Sequence, residues 1–160
     1  MNIEEFKETL LEYYHGEILG EVVMEQLIKH FDEPAQQAKL AVLLQLETET
    51  KARLRPHVLD LGLSLADDDK PREEALVMSQ AFAGLSWDEV MAGMCEQLPP
   101  VIEHYRQVAD EAPDEYRALA ESMYVHEKSL LEFANAELNG ERESSTKPVY
   151  DQLYYKLAAN

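Results

Sequence analysis

Three glutamates stand where an amphipathic helix normally carries an aliphatic side chain. In the stretch ALAESMYVHEKSLLEFANAEL, residues 118–138, winding at ~100° per residue gathers Tyr116, Leu119, Ala120, Met123, Leu130, Leu131, Ala134 and Leu138 into one apolar arc, with Glu127 near its middle. Glu17 falls on the axis of a second stripe, formed by Ile3, Phe6, Leu10, Tyr13, Tyr14, Met24, Leu27, Ile28 and Phe31, and Glu21 follows one turn later on the same face. Glu47 lies at the centre of a third stripe, Leu40, Leu43, Leu44, Leu54, Val58 and Leu61, beside Thr50 and Lys51. A carboxylate on a core face costs on the order of several kcal/mol unless it is paired. Acids held close together cannot all stay ionised without a metal ion, a cationic side chain or bound protons to compensate them. Lys51 and His126, the latter at the edge of the fourth stripe, are the neutralising groups within reach.

The acids are positioned by four long helical segments. The first runs from about Ile3 to Phe31 and ends at FDEP, where Pro34 suits the first turn of the next helix. The second covers about Ala35 to Leu61 and is closed by Gly62. A turn-rich SLADDDKP and a short crossover helix in REEALVMSQAF follow. The third starts at the capping-box pattern Ser86-Trp87-Asp88-Glu89, carries Met91, Met94, Cys95 and Leu98, and meets Pro99-Pro100, which predicts a kink or interruption. DEAPD closes it, and the fourth runs from about Glu115 to Leu138, stopped by Asn139-Gly140. The bundle therefore occupies 1–140, and the tail, 141–160, is expected to form a loop and short helix packing Tyr150, Leu153 or Tyr154 on the bundle. Glu17 precedes the first hairpin turn by about as many residues as Glu47 follows it, so the two are level. The third helix offers no acid at that level, since Glu96 and Glu103 point away from its stripe.

The formal charge of −18 argues against a nucleic-acid partner or an anionic membrane surface, because both need a basic patch. One cysteine, Cys95, excludes an internal disulfide, and no Cys/His zinc spacing occurs. The N-terminus MNIEEFKETL is too acidic for a signal peptide, and no apolar run reaches the ~18 residues a membrane span needs. A cytoplasmic protein is the expectation. The acidic run Asp67–Asp69 lacks the alternating oxygen ligands and glycine of a calcium loop and reads as a solvated turn. His15, His30, His57 and His104 lie off the stripes, and the core tyrosines Tyr13, Tyr14, Tyr105 and Tyr124 read as packing residues.

Carboxylates aimed inward at mid-height resemble the ferritin-like superfamily of di-iron and di-manganese proteins, with the likeness extending over about Ile3 to Leu138. It implies an all-α fold: an antiparallel four-helix bundle with a crossover between the second and third helices. Glu17, Glu47 and Glu127 map onto the glutamates of the first, second and fourth helices, and the implied metal is iron or manganese. The sequence departs from the Glu-x-x-His pattern: Thr50 and Leu130 stand where the histidines belong. His126 or Glu21 would complete the ligand set. Two functions follow. One is a non-haem iron or manganese oxidoreductase or metal-handling protein. The other is a metal-free, non-catalytic bundle whose acids are tied to Lys51 or His126 and which acts by oligomerising or binding a partner. A homodimer is expected from a second apolar stripe, Leu19, Val22 and Val23 with Leu46, outside the main face.

Overall fold

The computed structural model describes residues 1–65 and 69–156, and all regular structure among them is helical. Asn2 begins the first helix: its side chain accepts from the Glu4 and Glu5 backbone N–H groups, and the Glu5 carboxylate returns to the Asn2 N–H, a reciprocal cap for the orphan first-turn donors. α1 spans Ile3–His30 and α2 spans Pro34–Asp60, so the short link between them folds them into a hairpin, with proline at the start of α2 as expected. Gly62, in the left-handed region at φ +75°, ends α2. α3, Asp69–Ser79, runs into a 3-10 turn at Gln80–Phe82 and forms the crossover. α4 spans Trp87–Glu111, capped by the Ser86–Glu89 box. A 3-10 turn at Asp114–Tyr116 then leads into α5, Arg117–Leu138. α6, Lys147–Tyr150, belongs to the tail, whose Val149 and Leu153 are buried while Tyr154 is exposed.

Contacts at the helix ends fix how the hairpins meet. The Phe31 ring packs edge-on against Trp87 at 5.2 Å, joining the end of α1 to the start of α4. Phe6 stacks on Tyr116 at 5.0 Å, joining the start of α1 to the start of α5. Lys39 pairs with Glu137 at 2.5 Å, joining the start of α2 to the end of α5. The core divides into two apolar clusters. One holds Leu27, Leu43, Trp87 and Phe133, and the other holds Phe6, Leu10, Leu54 and Met123. Along α1, α2 and α5 the clusters change over near Ile18, Glu47 and His126, and that boundary is where the polar residues sit.

Two expectations meet the packing here. α4 continues as one helix through Pro99 and Pro100, so the prolines do not end it. Both prolines are exposed, so the carbonyls one turn earlier that lose an N–H partner lie towards water rather than in the core. The second apolar stripe is largely covered within the chain: Val22, Val23 and Leu46 are buried and Leu19 is half-buried, in or against a cluster that includes Ala75 of the crossover helix and Leu153 of the tail. Asp67 and Asp68 lie outside the described residues, and Asp69 opens α3. No described helix is long and apolar enough to cross a membrane.

Candidate metal centre

α1, α2 and α5 each bring one side chain to the boundary between the two apolar clusters. Glu17 and His126 are each 1 % exposed and Glu47 is 4 % exposed. One donor atom from each of the three lies within 4.8 Å of the others. His126 Nε2 stands 3.7 Å from Glu17 Oε1 and 3.6 Å from Glu47 Oε2. Those separations are too long for hydrogen bonds. They match the ~3–4 Å spacing of donors that share an ion at ~2.1 Å. Glu17 Oε2 and the Tyr13 hydroxyl are both buried and have no hydrogen-bond partner within 3.5 Å, although the hydroxyl lies near enough to Glu17 to favour its charge. The Tyr13 ring packs edge-on against His126 at 5.9 Å and against Tyr105 at 4.8 Å.

The electrostatics follow from this packing. Burial pushes the Glu17 carboxyl well above the usual carboxylate range; His126 pulls it back, Glu47 and Glu127 push it up again, and the nearby Tyr13 hydroxyl offsets a smaller part. Burial opposes charge on the His126 ring, yet the facing Glu17 and Glu47 carboxylates overcome it and lift the imidazole to about 10. Burial, joined by the Glu47 charge and opposed by His126, lifts Glu127 to about 7. Burial, reinforced by the Glu17 charge, also raises Tyr13 well above its ordinary value. A hard oxygen-rich set with one imidazole, holding an unanswered carboxylate oxygen, has the donor chemistry that iron and manganese favour.

The site differs in detail from the sequence reading. Glu127 sits at the rim rather than at the centre, half-buried on the wall of the adjoining cavity. Ser129, Phe133 and Glu137 face inward on α5, which turns the buried face by roughly half a residue step (~50°) and brings His126 to its middle. Glu21 is buried but faces elsewhere. It is bonded to Lys51, accepts from the Thr48 hydroxyl at 2.7 Å, and lies 3.8 Å from Arg72 of the crossover. Lys51 therefore answers Glu21 and not the three-residue group.

Three residues have roles that the sequence reading did not assign. Thr50, one turn after Glu47, places its hydroxyl 3.2 Å from His126 Nδ1 and accepts from Arg53 at 3.0 Å, which fixes the ring. Gly20 makes room for Glu47, since a Cβ there would lie 2.6 Å from the Glu47 Cδ. A glycine inside a helix, far from any turn and one turn after a buried acid, was the available signal. Glu137 is a buried acid of the opposite kind. It accepts from Lys39 at 2.5 Å and from Trp87 Nε1 at 2.9 Å. These bonds outweigh burial and hold its carboxyl below the usual range. No family model, curated protein or solved structure matches the chain.

Proposed function

We propose that this chain is a ferritin-like four-helix bundle that holds one iron or manganese ion through Glu17, Glu47 and His126, and that it works as a metal-dependent oxidoreductase or a metal-handling protein. The observation that carries this reading is the orphaned Glu17 Oε2, fully buried in a group of three donors whose spacing is too wide for hydrogen bonds. The helix-end contacts support the bundle topology: α1 and α5 run one way, α2 and α4 the other, with α3 as the crossover. A bound iron or manganese ion would supply redox chemistry and open coordination positions. The chain's own residues have separable roles. Thr50 and Arg53 orient the His126 ring, Gly20 admits the Glu47 carboxylate, and Tyr13 with Tyr105 walls one side against water. Glu127, lifted to about 7, is poised to hold or release a proton at the rim.

One observation favours a second, metal-free reading. The His126 ring, lifted to about 10 by its neighbours, is itself a cation that offsets part of the acid cluster. The two readings separate on metal analysis of untagged protein incubated with Fe(II) or Mn(II) and desalted. About one equivalent retained, and lost in Glu17→Gln and His126→Ala, supports the metal centre. Protein that retains no more metal than these variants do overturns it.

A further inference from the structure

A cavity of about 430 Å³ opens from the three-residue group into the gap between α1 and α4, roofed by Met78, Phe82 and Leu85 of the crossover. The gap exists because side chains are missing from both walls. Gly16 and Gly20 on α1 and Gly93 on α4 all line it, and a Cβ at Gly16 or Gly93 would meet no atom within 4 Å. The remaining wall is mostly apolar, and its polar groups are confined to the floor, where Glu17, Glu47, His126 and the Tyr13 hydroxyl sit, and to Glu89, Gln97, Tyr105 and Glu127. No lysine or arginine is among the residues lining it. Binding cavities of this size are typical for small organic molecules.

We propose that this cavity binds a neutral, largely aliphatic small molecule with one end against the Glu17–Glu47–His126 floor. The proposal builds on the metal-centre reading by naming the class of ligand that would lie beside it. Charge decides the class. An anionic amphiphile would bring its head group to a metal-free floor where two carboxylates outnumber the one cationic group, His126, and no lysine or arginine lines the wall to receive it. A divalent ion on Glu17 and Glu47 would cancel their charges and offer an anion a ligand position, so the discrimination against an anion is expected of the metal-free site. The Tyr13 hydroxyl and Glu17 oxygen offer hydrogen-bonding groups that suit a hydroxyl or carbonyl on the ligand.

Nile red, a neutral dye whose fluorescence reports an apolar site, tests the idea on the full chain, both after chelator treatment and with Mn(II) added. The dye is expected to bind in both conditions, and in chelator-treated protein 1-decanol is expected to displace it at concentrations about tenfold or more below those decanoate requires. Gly93→Phe fills the cavity and is expected to weaken dye binding about tenfold or more with the helical circular-dichroism spectrum unchanged, whereas Gly93→Ala keeps it. Gly93→Leu is the second blocking variant should phenylalanine prevent folding. Dye binding that survives both blocking variants, or decanoate that competes as well as decanol in chelator-treated protein, overturns the proposal. Metal content is read separately on the same samples. Dye binding without retained metal therefore refutes the centre and leaves the cavity, and retained metal without dye binding does the reverse.

Discussion

Two buried glutamates of opposite character give the sharpest test of the site. Glu137→Gln and Glu17→Gln remove the same charge from equally buried positions, each 1 % exposed in the wild type. At Glu137 the amide keeps one acceptor but presents a donor towards either the Lys39 ammonium or the Trp87 N–H, and both currently donate to the carboxylate. Hydrogen bonds to charged groups contribute about 1.5–3 kcal/mol each, so losing one and leaving its donor facing another is expected to cost about 2–4 kcal/mol. At Glu17 there is little of this kind to lose. Its Oε2 has no partner within 3.5 Å, and burial, Glu47 and Glu127 all disfavour its charge against the pull of His126 and the weaker one of the Tyr13 hydroxyl. In chelator-treated protein Glu17→Gln is therefore expected to leave stability unchanged or to raise it, by at most about 3 kcal/mol. Urea denaturation in chelator near neutral pH measures both. With Mn(II) at about 100 times its dissociation constant the wild type gains about 2.7 kcal/mol, and the variant, lacking a ligand, is expected to gain much less. If Glu17→Gln costs as much as Glu137→Gln without metal, Glu17 is a structural partner of His126 and the argument from its orphaned oxygen is wrong.

Gly20→Ala improves helix propensity by about 1 kcal/mol, yet its Cβ would lie 2.6 Å from the Glu47 Cδ. It is expected to lower metal retention about tenfold or more while changing the unfolding midpoint little, read by metal analysis beside urea denaturation. Lys51→Met leaves Glu21 with only the Thr48 hydroxyl and the more distant Arg72, and is expected to destabilise the fold by about 3 kcal/mol without reducing metal retention. Glu127, lifted from its ordinary 4.5 to about 7, binds more protons folded than unfolded between those values. Metal-free wild type should therefore lose stability as pH rises through that window, with a ceiling of about 3 kcal/mol. Glu127→Gln should show a smaller loss between about pH 5 and 6.5, below the range where His126, lifted to about 10, begins to contribute. The raised Glu17 keeps part of the slope in both proteins, and urea midpoints at those two pH values will show the difference.

The sequence made the helices legible because their apolar residues recur at helical spacing over long segments, and their ends carry readable stops: Pro34, the Ser86–Glu89 box, Gly62 and Gly140. The same periodicity placed Glu17 and Glu47 on core faces, and counting from the hairpin turn put them level. It failed on α5. Periodicity alone weights hydrophobic residues, so Leu131 and Leu138 drew the arc towards Glu127, although Leu138 is exposed. Ser129 and Glu137 are polar and carry no hydrophobic signal, yet both face inward, Glu137 because Lys39 and Trp87 meet it there. Partners on other helices decided the rotation, and no local pattern holds that information. For the same reason Lys51 could not be assigned from its stripe: its position one turn after Glu47 suited the cluster, and only the packing of α1 against α2 sends it to Glu21.

The unequal contributions of the four helices suggest a division of labour. α1, α2 and α5 supply the inward donors, whereas α4 supplies none, and its Glu96 and Glu103 are exposed. α4 instead lines the cavity with Val90, Gly93, Met94, Leu98 and Val101. A symmetric di-metal bundle needs ligands from every helix. Under the reading proposed above, the missing ligands on α4 and the missing Glu-x-x-His histidines have one cause: this chain has room for a single ion, and the space a second would take is left to the cavity. Thr50 fits that account, because it stands where a second-helix histidine would be and its hydroxyl instead meets the one histidine the site retains. Restoring the motif with Thr50→His would therefore not build a better centre. The larger ring would enter the space beside His126 Nδ1, break the contact that orients it, and lower metal retention below the wild-type level. A variant that held two equivalents of Mn(II) by metal analysis would show that the bundle kept room for a second ion, and the single-ion account would fail.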